Sequence, residues 1–365
     1  MKNKKKLIIF LPKFVFSGAG NSVFSIINYL NKSNFELHII CLGKCDYKKK
    51  FNKKVQLHEI NKQSLFTSIP QIYSIIKKIN FNSKKTIIYS NHHYANVYSI
   101  LFKLLFKNIY VVGVERTCIH ELSSYFSLKD FIKKKLLKIL VLNLYSHANY
   151  IVTNTLYTKK EILNFSKKNV KHIYPPSIKL VKPFKKKKIN KKINILWVGR
   201  LHREKGIEDL INSVKYLNFE ANIYVLGDGN EYSKIKNLIK KKNNKKIKIY
   251  LKKYVKNTLN YFLKSHILVN TSYFEGSNNS IIEAINNNLL VLASRTPGGN
   301  IELLNNNSFG LLYKKNNSID LARKLNSLIL KYDSFQLKIK NNKKNLNKFL
   351  SDFSNKKTSI ILNKI

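Results

Sequence analysis

The sequence predicts an α/β protein with parallel sheets, built in two halves of similar size. Short apolar runs alternate along the chain with longer segments that have the length and period of amphipathic helices, which is typical of β-α-β units. A segment rich in proline and lysine, residues 174–192, separates the halves, and each half begins again with an apolar run. With 365 residues and 44% hydrophobic content, each half can form a core of its own.

The strand candidates are short runs of β-branched and other apolar residues bounded by polar or turn residues. In the first half they are KLIIFL (6–11), ELHIIC (36–41), TIIYS (86–90), IYVVGV (109–114) and NYIVTN (149–154). In the second half they are INILWV (193–198), NIYVL (222–226), KIKIY (246–250), HILVN (266–270) and LLVLA (289–293). The lysine- and asparagine-rich segment 237–257 is interpreted as a helix end, a short strand and solvated loops.

Three features bear on the location of the protein. The start, MKNKKKLIIFLPKFVF, is basic and then apolar like a secretory signal, but Pro12 and Lys13 interrupt the run and no clean cleavage pattern follows, which favours a buried first strand. No run of 18 apolar residues occurs, so we expect no spanning helix. Cys41, Cys45 and Cys118 are odd in number and form no zinc pattern, which indicates reduced thiols in a cytoplasmic protein.

The net charge of +49 admits two interpretations. Such a field attracts nucleic acid or an anionic membrane surface. Alternatively, the charge reflects a drift in composition, because lysines are spread over every segment; this interpretation is favoured, and no arginine-rich or aromatic–basic stretch indicates a specific nucleic-acid partner. Residues 128–145, LKDFIKKKLLKILVLNLY, are apolar on one side and carry a lysine cluster, so they predict either a helix lying on a membrane surface or an ordinary packed helix.

The segment VGRLHREKGIEDL, residues 198–210, follows a predicted strand and precedes a predicted helix. Only five of the 68 lysines and arginines are arginines, and two of them, Arg200 and Arg203, stand here. After the turn at Gly199, Arg200 offers a bidentate fork and Lys205 a point charge to phosphate oxygens, next to a helix N-terminus. We therefore predict a diphosphate site, whereas Arg203 and His202 are interpreted as solvated.

A second segment, YFEGSNNSIIEAI, residues 273–285, places two carboxylates around a loop and a helix start. Glu275 follows a predicted strand, and Gly276 permits a tight turn. The next three residues suit a loop and helix cap: Ser277, Asn278 and Asn279. Glu283 lies in an apolar frame, where a carboxylate either is paired or awaits a ligand such as sugar hydroxyls. Two carboxylates are also compatible with hydrolysis by a paired acid and base. Alternatively, Glu283 is an ordinary surface residue of the helix.

In this order, the two segments resemble the retaining glycosyltransferases of family 4, the group 1 glycosyltransferases. Glu275 and Glu283 match the Glu-x7-Glu pattern of that family. YVLGDGNEY is similar to its strand and Gly-x-Gly turn at Gly227 and Gly229, and SRTPGGNIELL is similar to its Gly-Gly-x-x-Glu stretch. The first half matches more loosely, through the glycine loop VFSGAGNSVF with Gly18 and Gly20, and through strand ends on the acceptor side.

The resemblance implies two Rossmann-like domains that face each other across a cleft, the glycosyltransferase B-type fold. We expect an N-terminal acceptor-side domain at 1–180, a linker at 181–192, a donor-binding domain at 193–340 and a helix at 341–365 that crosses back. Arg200 and Lys205 would bind the donor diphosphate, Glu275 the transferred sugar and Glu283 the ribose. The remaining donor-binding residues would be Gly199, Gly227, Gly229, Gly276, Ser277, Asn278 and Asn279.

The acceptor-side candidates rest on two strand ends. His92 and His93 would position the acceptor hydroxyl, or they are simply polar loop residues. Glu115 and Arg116 follow the next strand, and they serve either the acceptor or a structural ion pair. Two departures from the family pattern stand out: Ser277 and Asn278 replace a large apolar residue and proline, and Ala19 splits the usual glycine pair.

The expected activity is transfer of a sugar, with retention of configuration, from a nucleotide-diphosphate sugar to a glycan or lipid-linked acceptor. The pathway implied is synthesis of a surface polysaccharide or lipopolysaccharide, in the cytoplasm or on the inner face of the plasma membrane. No Asp-x-Asp occurs, so we expect a site without metal and no cofactor besides the nucleotide-sugar substrate. The alternatives are a nucleotide-sugar 2-epimerase of the same fold and a basic protein that binds nucleic acid or membrane.

Overall fold

The computed structural model describes residues 5–365 apart from 32, 34, 63, 82, 167–168, 243–245 and 305–306. The chain divides into two compact units. The first comprises the residues up to Lys179 together with Phe349–Ile365, and the second comprises Leu180–Lys348. Each unit contains one parallel sheet with helices between its strands, which confirms the predicted α/β class.

The first unit contains a sheet of seven described strands in the order β3-β2-β1-β4-β5-β6-β7. Their bounds are β1 Lys5–Phe10, β2 Phe35–Leu42, β3 Gln56–Ile60, β4 Thr86–Asn91, β5 Ile109–Glu115, β6 Tyr150–Thr153 and β7 Val170–His172. Alternate residues of β1 enter different cores: Ile8 and Phe10 pack on one side of the sheet, Leu7 and Ile9 on the other. Burial on both faces explains why the strands read as continuous apolar runs.

Five helices follow strands of this sheet: α1 Gly18–Leu30, α2 Leu65–Asn80, α3 His93–Leu105, α4 Leu128–Leu144 and α5 Leu156–Leu163. Three of them begin at hydroxyl side chains that accept a backbone N–H of the first turn, those of Ser17, Ser127 and Thr155. These caps end the preceding loops close to the carboxyl ends of the strands. None of the helices in the described part of the chain has the length and apolar character of a bilayer span.

The second unit contains a sheet of six described strands in the order β10-β9-β8-β11-β12-β13. The strands are β8 Ile193–Val198, β9 Ala221–Leu226, β10 Ile247–Lys252, β11 Ile267–Asn270, β12 Leu290–Ser294 and β13 Gly310–Tyr313. The helices are α6 Ile207–Ser213, α7 Tyr232–Lys242, α8 Leu259–Lys264, α9 Asn279–Asn286, α10 Gly299–Leu304, α11 Ser318–Leu330 and α12 Tyr332–Asn342. The last helix of the chain, α13 Ser351–Lys364, belongs to the first unit.

All ten predicted strands are present, and β1 confirms the interpretation of the N-terminal apolar run as a strand. Three strands were missed: β3, β7 and β13. Each lies at an edge of its sheet and is short, with 5, 3 and 4 residues. Within the segment 237–257 the predicted strand is β10, while residues 243–245 lie outside the described residues.

The structure groups the predicted linker, residues 181–192, with the second unit. The reason is a set of hydrogen bonds: the Lys182 N–H donates to Asn286 Oδ1 at 2.9 Å, and Lys187 Nζ donates to three carbonyls at the end of α8, at 2.7–2.8 Å. The C-terminal segment that belongs to the first unit starts at Phe349 rather than at 341. Residues 341–348 remain in the second unit, where Lys343 Nζ donates to Pro183 O and Asn288 Oδ1.

Candidate functional site

The predicted donor residues lie at the carboxyl edge of the second sheet. β8 stands between β9 and β11, so the order of the strands reverses there, and ligands of open α/β sheets bind outside the strand ends at such a point. The loop 199–206 follows β8, and the loop 271–278 follows β11. The fold therefore brings the two sequence segments to one place.

An ion pair joins these two loops. Lys205 Nζ lies 2.6 Å from Glu275 Oε1, and both side chains are largely buried. The backbone of Lys205 is fixed as well, because Thr271 Oγ1 donates to its carbonyl at 2.6 Å and Trp197 Nε1 donates to Thr271 Oγ1 at 2.9 Å. Neither Thr271 nor Trp197 was predicted from the sequence, although a single tryptophan shortly before the loop was a signal.

Arg200 is held far less tightly. Its guanidinium is 67% exposed and approaches Glu204 Oε1 at 3.3 Å. An exposed pair of this kind stabilises by roughly 0–1 kcal/mol, so Arg200 can exchange Glu204 for another anion at little cost. His202, interpreted as solvated, has its Nδ1 at 3.9 Å from the same carboxylate oxygen. Arg203 is exposed, as the sequence predicted.

Glycines permit the loop after β9 to pack against the loop after β8. A Cβ at Gly227 would lie 1.8 Å from the Gly199 carbonyl oxygen. At Gly229, where φ is +154°, it would lie 2.4 Å from the Leu201 carbonyl oxygen. The Leu201 N–H donates to Asp228 O at 2.9 Å and holds the loops together. These glycines therefore shape the loop that carries Arg200.

A second glycine pair supports the loop of Glu275. A Cβ at Gly298, where φ is +107°, would lie 1.9 Å from the Glu275 carbonyl oxygen. The Gly299 N–H donates to Gly276 O at 3.1 Å, and Glu275 forms an isolated parallel bridge with Gly298. The sequence predicted a motif here but no role for it, because the close backbone approach arises only in the folded chain.

The residues after Gly276 form the start of α9. Asn278 Oδ1 accepts from the Ser280 N–H at 3.0 Å and from the Ser280 hydroxyl at 2.7 Å, so its side chain is the helix cap. Ser277 and Asn279 are partly exposed on either side. The peptide groups of this loop and the first turn of α9 form an edge suited to anions.

Glu283 projects from α9. Burial raises the pKa of its carboxyl group to about 7, while Lys182 lowers it less strongly. Among the described residues, no salt bridge or side-chain hydrogen bond to this carboxylate occurs. Lys182 Nζ instead donates to Asn287 Oδ1 at 2.7 Å. Lys182 was predicted to lie in the linker 181–192, and its proximity to Glu283 was not predicted.

The site combines two kinds of charge. Arg200 and Lys205 suit the oxygens of a diphosphate, whereas Glu275 and Glu283 accept hydrogen bonds from hydroxyl groups. Across the described residues, no group of three or more His, Cys, Asp and Glu side chains is arranged to hold a metal ion.

In the first unit, the structure pairs two of the acceptor-side candidates, His93 and Glu115, with each other. His93 Nδ1 lies 2.6 Å from Glu115 Oε2, and both side chains are buried. Asn96 Nδ2 donates to Glu115 Oε1 at 2.6 Å, and the Tyr145 hydroxyl donates to the same oxygen. Burial disfavours the imidazolium of His93, but the Glu115 carboxylate outweighs it, so the pKa of His93 is raised. The expected alternative of a Glu115–Arg116 ion pair is wrong, because Glu115 pairs with His93.

Arg116 turns away from Glu115. Its Nε and one terminal nitrogen donate to Asn91 Oδ1 at 3.0 and 2.8 Å. The side chain is buried, which lowers the pKa of Arg116, and no carboxylate forms a salt bridge with it in the described part of the chain. It lines a small cavity that also includes Tyr89, Asn154 and Tyr174.

The remaining first-unit candidates lie at the carboxyl ends of β1 and β4. His92 is partly exposed before α3, with φ at +76°, and its N–H donates to Val114 O at 3.1 Å. Gly18 begins α1, and the Gly20 N–H donates to Ser17 Oγ at 3.1 Å. These residues follow strands of the same sheet as Arg116.

Comparison with known proteins identifies the second unit most directly. Residues 179–346 match the family model described as glycosyl transferases group 1. An uncharacterized glycosyltransferase of Methanocaldococcus jannaschii is 31% identical over 134 residues. That alignment spans 37% of this chain and 37% of the relative.

Solved structures match nearly the whole chain at low identity. HepE from Anabaena, in complex with UDP and glucose, aligns with a TM-score of 0.78 at 15% identity, over 99% of this chain and 100% of that one. Sucrose-phosphate synthase from Thermosynechococcus elongatus aligns with a TM-score of 0.84 at 14% identity, over 99% of each chain. These matches show the two-domain, glycosyltransferase B-type fold. Over residues 179–346, a little under half of its length, the chain is similar to the group 1 glycosyltransferases.

Proposed function

We propose that this protein transfers a sugar from a nucleotide-diphosphate sugar to a glycan or lipid-linked acceptor. The observation that carries the proposal is the contact of Lys205 with Glu275 at the strand-end edge that also bears Arg200. A phosphate-binding loop and a hydroxyl-binding loop meet there, as a sugar diphosphate requires. The HepE structures, solved with UDP and glucose and with UDP-glucose, support a uridine nucleotide as the first donor to examine.

In the proposed reaction, Arg200 and Lys205 stabilise the negative charge that develops on the leaving diphosphate. Charges that are in place before the reaction act more strongly in a site shielded from water, and removing one such donor costs about 2.7–4 kcal/mol of transition-state stabilisation. Glu275 contacts the transferred sugar, and Glu283 accepts from the ribose hydroxyls. Because two basic side chains already face the diphosphate, the proposed site operates without a metal ion.

Retention of configuration is part of the proposal and follows from the family resemblance. The acceptor would attack from the same face that the leaving diphosphate occupies, on a sugar with oxocarbenium character. The pathway we propose is synthesis of a surface polysaccharide or lipopolysaccharide at the cytoplasmic side of the membrane. One structure of similar fold, with a TM-score of 0.73 at 17% identity, is a lipopolysaccharide outer core galactosyltransferase.

Arg116 is the first-unit residue that we assign to the acceptor. Within the described part of the chain, its buried guanidinium bonds to the neutral amide of Asn91 and to no carboxylate, so it retains a charge that a phosphate or carboxylate could pair with. The acceptor would therefore carry an anionic group. We expect Arg116→Gln to raise the KM for the acceptor while the Kd of the nucleotide is unchanged. An unchanged KM in a folded variant would remove Arg116 from the site.

The function is tested first with a thermal-shift screen against UDP, GDP, ADP, CMP and their common sugar conjugates, in EDTA and then in magnesium. A ligand that binds the native state raises the midpoint. The stabilising nucleotide sugar is then supplied with candidate acceptors. We expect Arg200→Ala to lower kcat by about 10²–10³-fold, while Arg323→Ala, which removes an exposed arginine of α11, leaves it unchanged.

Three outcomes would contradict the proposal. Full activity of Arg200→Ala would show that the diphosphate binds elsewhere. Interconversion of two donors without acceptor, followed by NMR, would identify a 2-epimerase. A midpoint that no nucleotide shifts, together with salt-dependent retention of DNA, would favour the basic binding protein.

A further inference from the structure

Helix α4, Leu128–Leu144, has two apolar faces. One face buries Leu137 and Val141 in the core of the first unit. The other exposes large apolar side chains that are between 38% and 76% accessible: Leu128, Ile132, Leu136, Ile139 and Leu142. An ordinary surface helix has a polar face on the side away from the core. Packing against the core therefore explains the apolar side chains on one face of α4 but not those on the other face.

The exposed residues form one continuous stripe. Their spacings along the chain are four, four, three and three residues, which place them on one side of an α-helix. Leu104 and Leu105, at the C-terminal end of α3, are exposed as well. Lys103 Nζ donates to His147 O at 2.7 Å and holds that end beside the residues that follow α4. Isolated exposed apolar residues are normal, whereas a contiguous patch indicates a binding surface.

Lysines border the stripe on both sides. Lys129 and Lys133 are exposed along one border. Lys134 and Lys138 lie along the other, where their Nζ atoms donate to Ser124 O at 2.7 Å and Ser123 Oγ at 2.9 Å. Asp130 is the one acidic residue of the helix, against five lysines. The apolar stripe and its lysine borders indicate a partner in which negative charge lies next to an apolar layer.

Lys135 distinguishes a lipid from a protein partner. It lies within the stripe, three residues after Ile132 and four before Ile139, and it is exposed. The centre of a protein interface is depleted of lysine, because the charge would lose its water there. At a bilayer surface, a lysine keeps its stem in the apolar layer and its ammonium at the headgroups.

We propose that the exposed face of α4 lies in the plane of an anionic membrane, with its apolar side chains below the headgroups and its lysines among them. Apolar burial supplies the anchoring, and each basic residue near the anionic surface adds electrostatic attraction. This surface belongs to the first unit, and the inference does not depend on the reaction that the second unit performs. It assigns a role to the segment 128–145 that sequence analysis left open.

The test uses the full chain and vesicles that float in a density gradient. One set contains phosphatidylglycerol mixed with phosphatidylcholine, and the other contains phosphatidylcholine alone. We expect the protein to float with the anionic set at low and at physiological salt. Ile132→Ser, Leu136→Ser and Ile139→Ser combined should lower the apparent partition coefficient at least about tenfold. These side chains are exposed, so circular dichroism should show an unchanged fold.

Two matched variants serve as controls. Ile319→Ser, Leu330→Ser and Leu337→Ser remove three exposed apolar side chains from α11 and α12. They should leave the partition coefficient unchanged. Lys129→Gln, Lys133→Gln and Lys135→Gln remove three charges from α4, whereas Lys236→Gln, Lys240→Gln and Lys241→Gln remove three exposed charges from α7. Only the α4 set should weaken binding to the anionic vesicles strongly.

Each other result overturns the proposal. Equal losses from both lysine sets, with no loss from the α4 serine variant, would assign membrane attraction to the overall charge of +49. A wild-type dimer that becomes a monomer in the α4 serine variant, without vesicle binding, would make this face a contact between two copies of the chain. Absence of flotation by a folded monomer would show that α4 binds no anionic bilayer.

Discussion

At the scale of single residues, Glu283 differs from the other carboxylates of the second unit because burial keeps its pKa near neutrality. Glu275 has Lys205 at 2.6 Å, and Glu204 has Arg200 at 3.3 Å. Glu283 has only the weaker influence of Lys182, and the pKa of its carboxyl group is raised to about 7. Ionisation of a carboxyl group in such a buried position lowers the stability of the fold. Ribose hydroxyls that donate hydrogen bonds to the carboxylate would offset this loss.

The pH dependence of nucleotide binding should follow the ionisation of Glu283. Hydroxyl donors require the carboxylate form, so we expect the Kd of the nucleotide to fall about tenfold between pH 6 and pH 8, as the pH passes through a pKa of about 7. Glu283→Gln should remove this dependence, while Glu220→Gln, at an exposed ion pair with Lys192, should retain it. Isothermal titration calorimetry over this pH range measures the difference. A Kd that does not change with pH in the wild type would contradict the role of Glu283.

Ionisation of Glu283 strengthens nucleotide binding, but it lowers the free energy of unfolding. The folded state holds a proton on Glu283 up to a pH of about 7, whereas the unfolded chain releases it near its ordinary value of 4.5. The folded state therefore binds more protons between these values, and the free energy of unfolding falls as the pH rises through this window. In the absence of nucleotide, the free energy of unfolding of Glu283→Gln should fall less over this pH window than that of the wild type. The difference amounts to at most about 3 kcal/mol. Urea titrations at pH 5 and pH 8 measure it.

Residue types alone predicted which side chains carry charge at the strand ends, but not which of them neutralise one another. His93 and Glu115 are 22 positions apart and meet only because β4 and β5 are neighbours in the sheet. Arg116 follows Glu115 directly, yet it bonds to Asn91 instead. The assignment of partners depends on side-chain direction at a strand end, which the sequence pattern does not contain.

At the scale of elements, the site depends on loops that touch through their backbones. Gly298 lies under Glu275, and Gly227 lies under Gly199, at distances that no side chain could occupy. The strands themselves were predictable where both faces are buried, because such strands are continuous apolar runs. The edge strands β3 and β7 were not, since polar residues interrupt their apolar signal, and β13 was not, since it has only four residues and begins with glycine.

Gly298→Ala should therefore damage the Glu275 loop rather than merely strain its own backbone. The added Cβ would lie 1.9 Å from the Glu275 carbonyl oxygen, so this loop must move. We expect a loss of roughly 1–3 kcal/mol in the free energy of unfolding, from backbone strain and overpacking, together with weaker nucleotide-sugar binding.

Gly43 provides the matched control for this substitution. Its φ is +68°, but nothing lies within 4 Å of an added Cβ. Gly43→Ala should cost only the strain of the left-handed conformation, about 1–2 kcal/mol, and should leave nucleotide-sugar binding unchanged. Thermal unfolding and calorimetric titration of both variants compare the two effects. Equal binding by the two variants would show that Gly298 does not position the loop of Glu275.

At the scale of the whole molecule, the chain order assigns the last helix to the first unit. Residues 180–348 form the second unit, and the chain then returns at Phe349 to the unit in which it began. Asn355 Nδ2 donates to Ser25 Oγ at 2.9 Å, and Ile361, Leu362 and Ile365 join the core that contains residues of α1. The first unit is thus completed by residues that follow the second in sequence.

A substitution in α13 should therefore destabilise the first unit selectively. Leu362 is fully buried, so Leu362→Ala should cost about 2–5 kcal/mol through lost burial and a cavity. Ile360→Ala removes an exposed side chain of the same helix and should change stability by no more than about 0.5 kcal/mol. Hydrogen exchange locates the effect: in Leu362→Ala, amides of α1 and β1 should exchange faster, while those of β8 and β11 keep their wild-type rates. Uniformly faster exchange would mean that the two units unfold together in one cooperative step. That result would contradict an independent core in each unit.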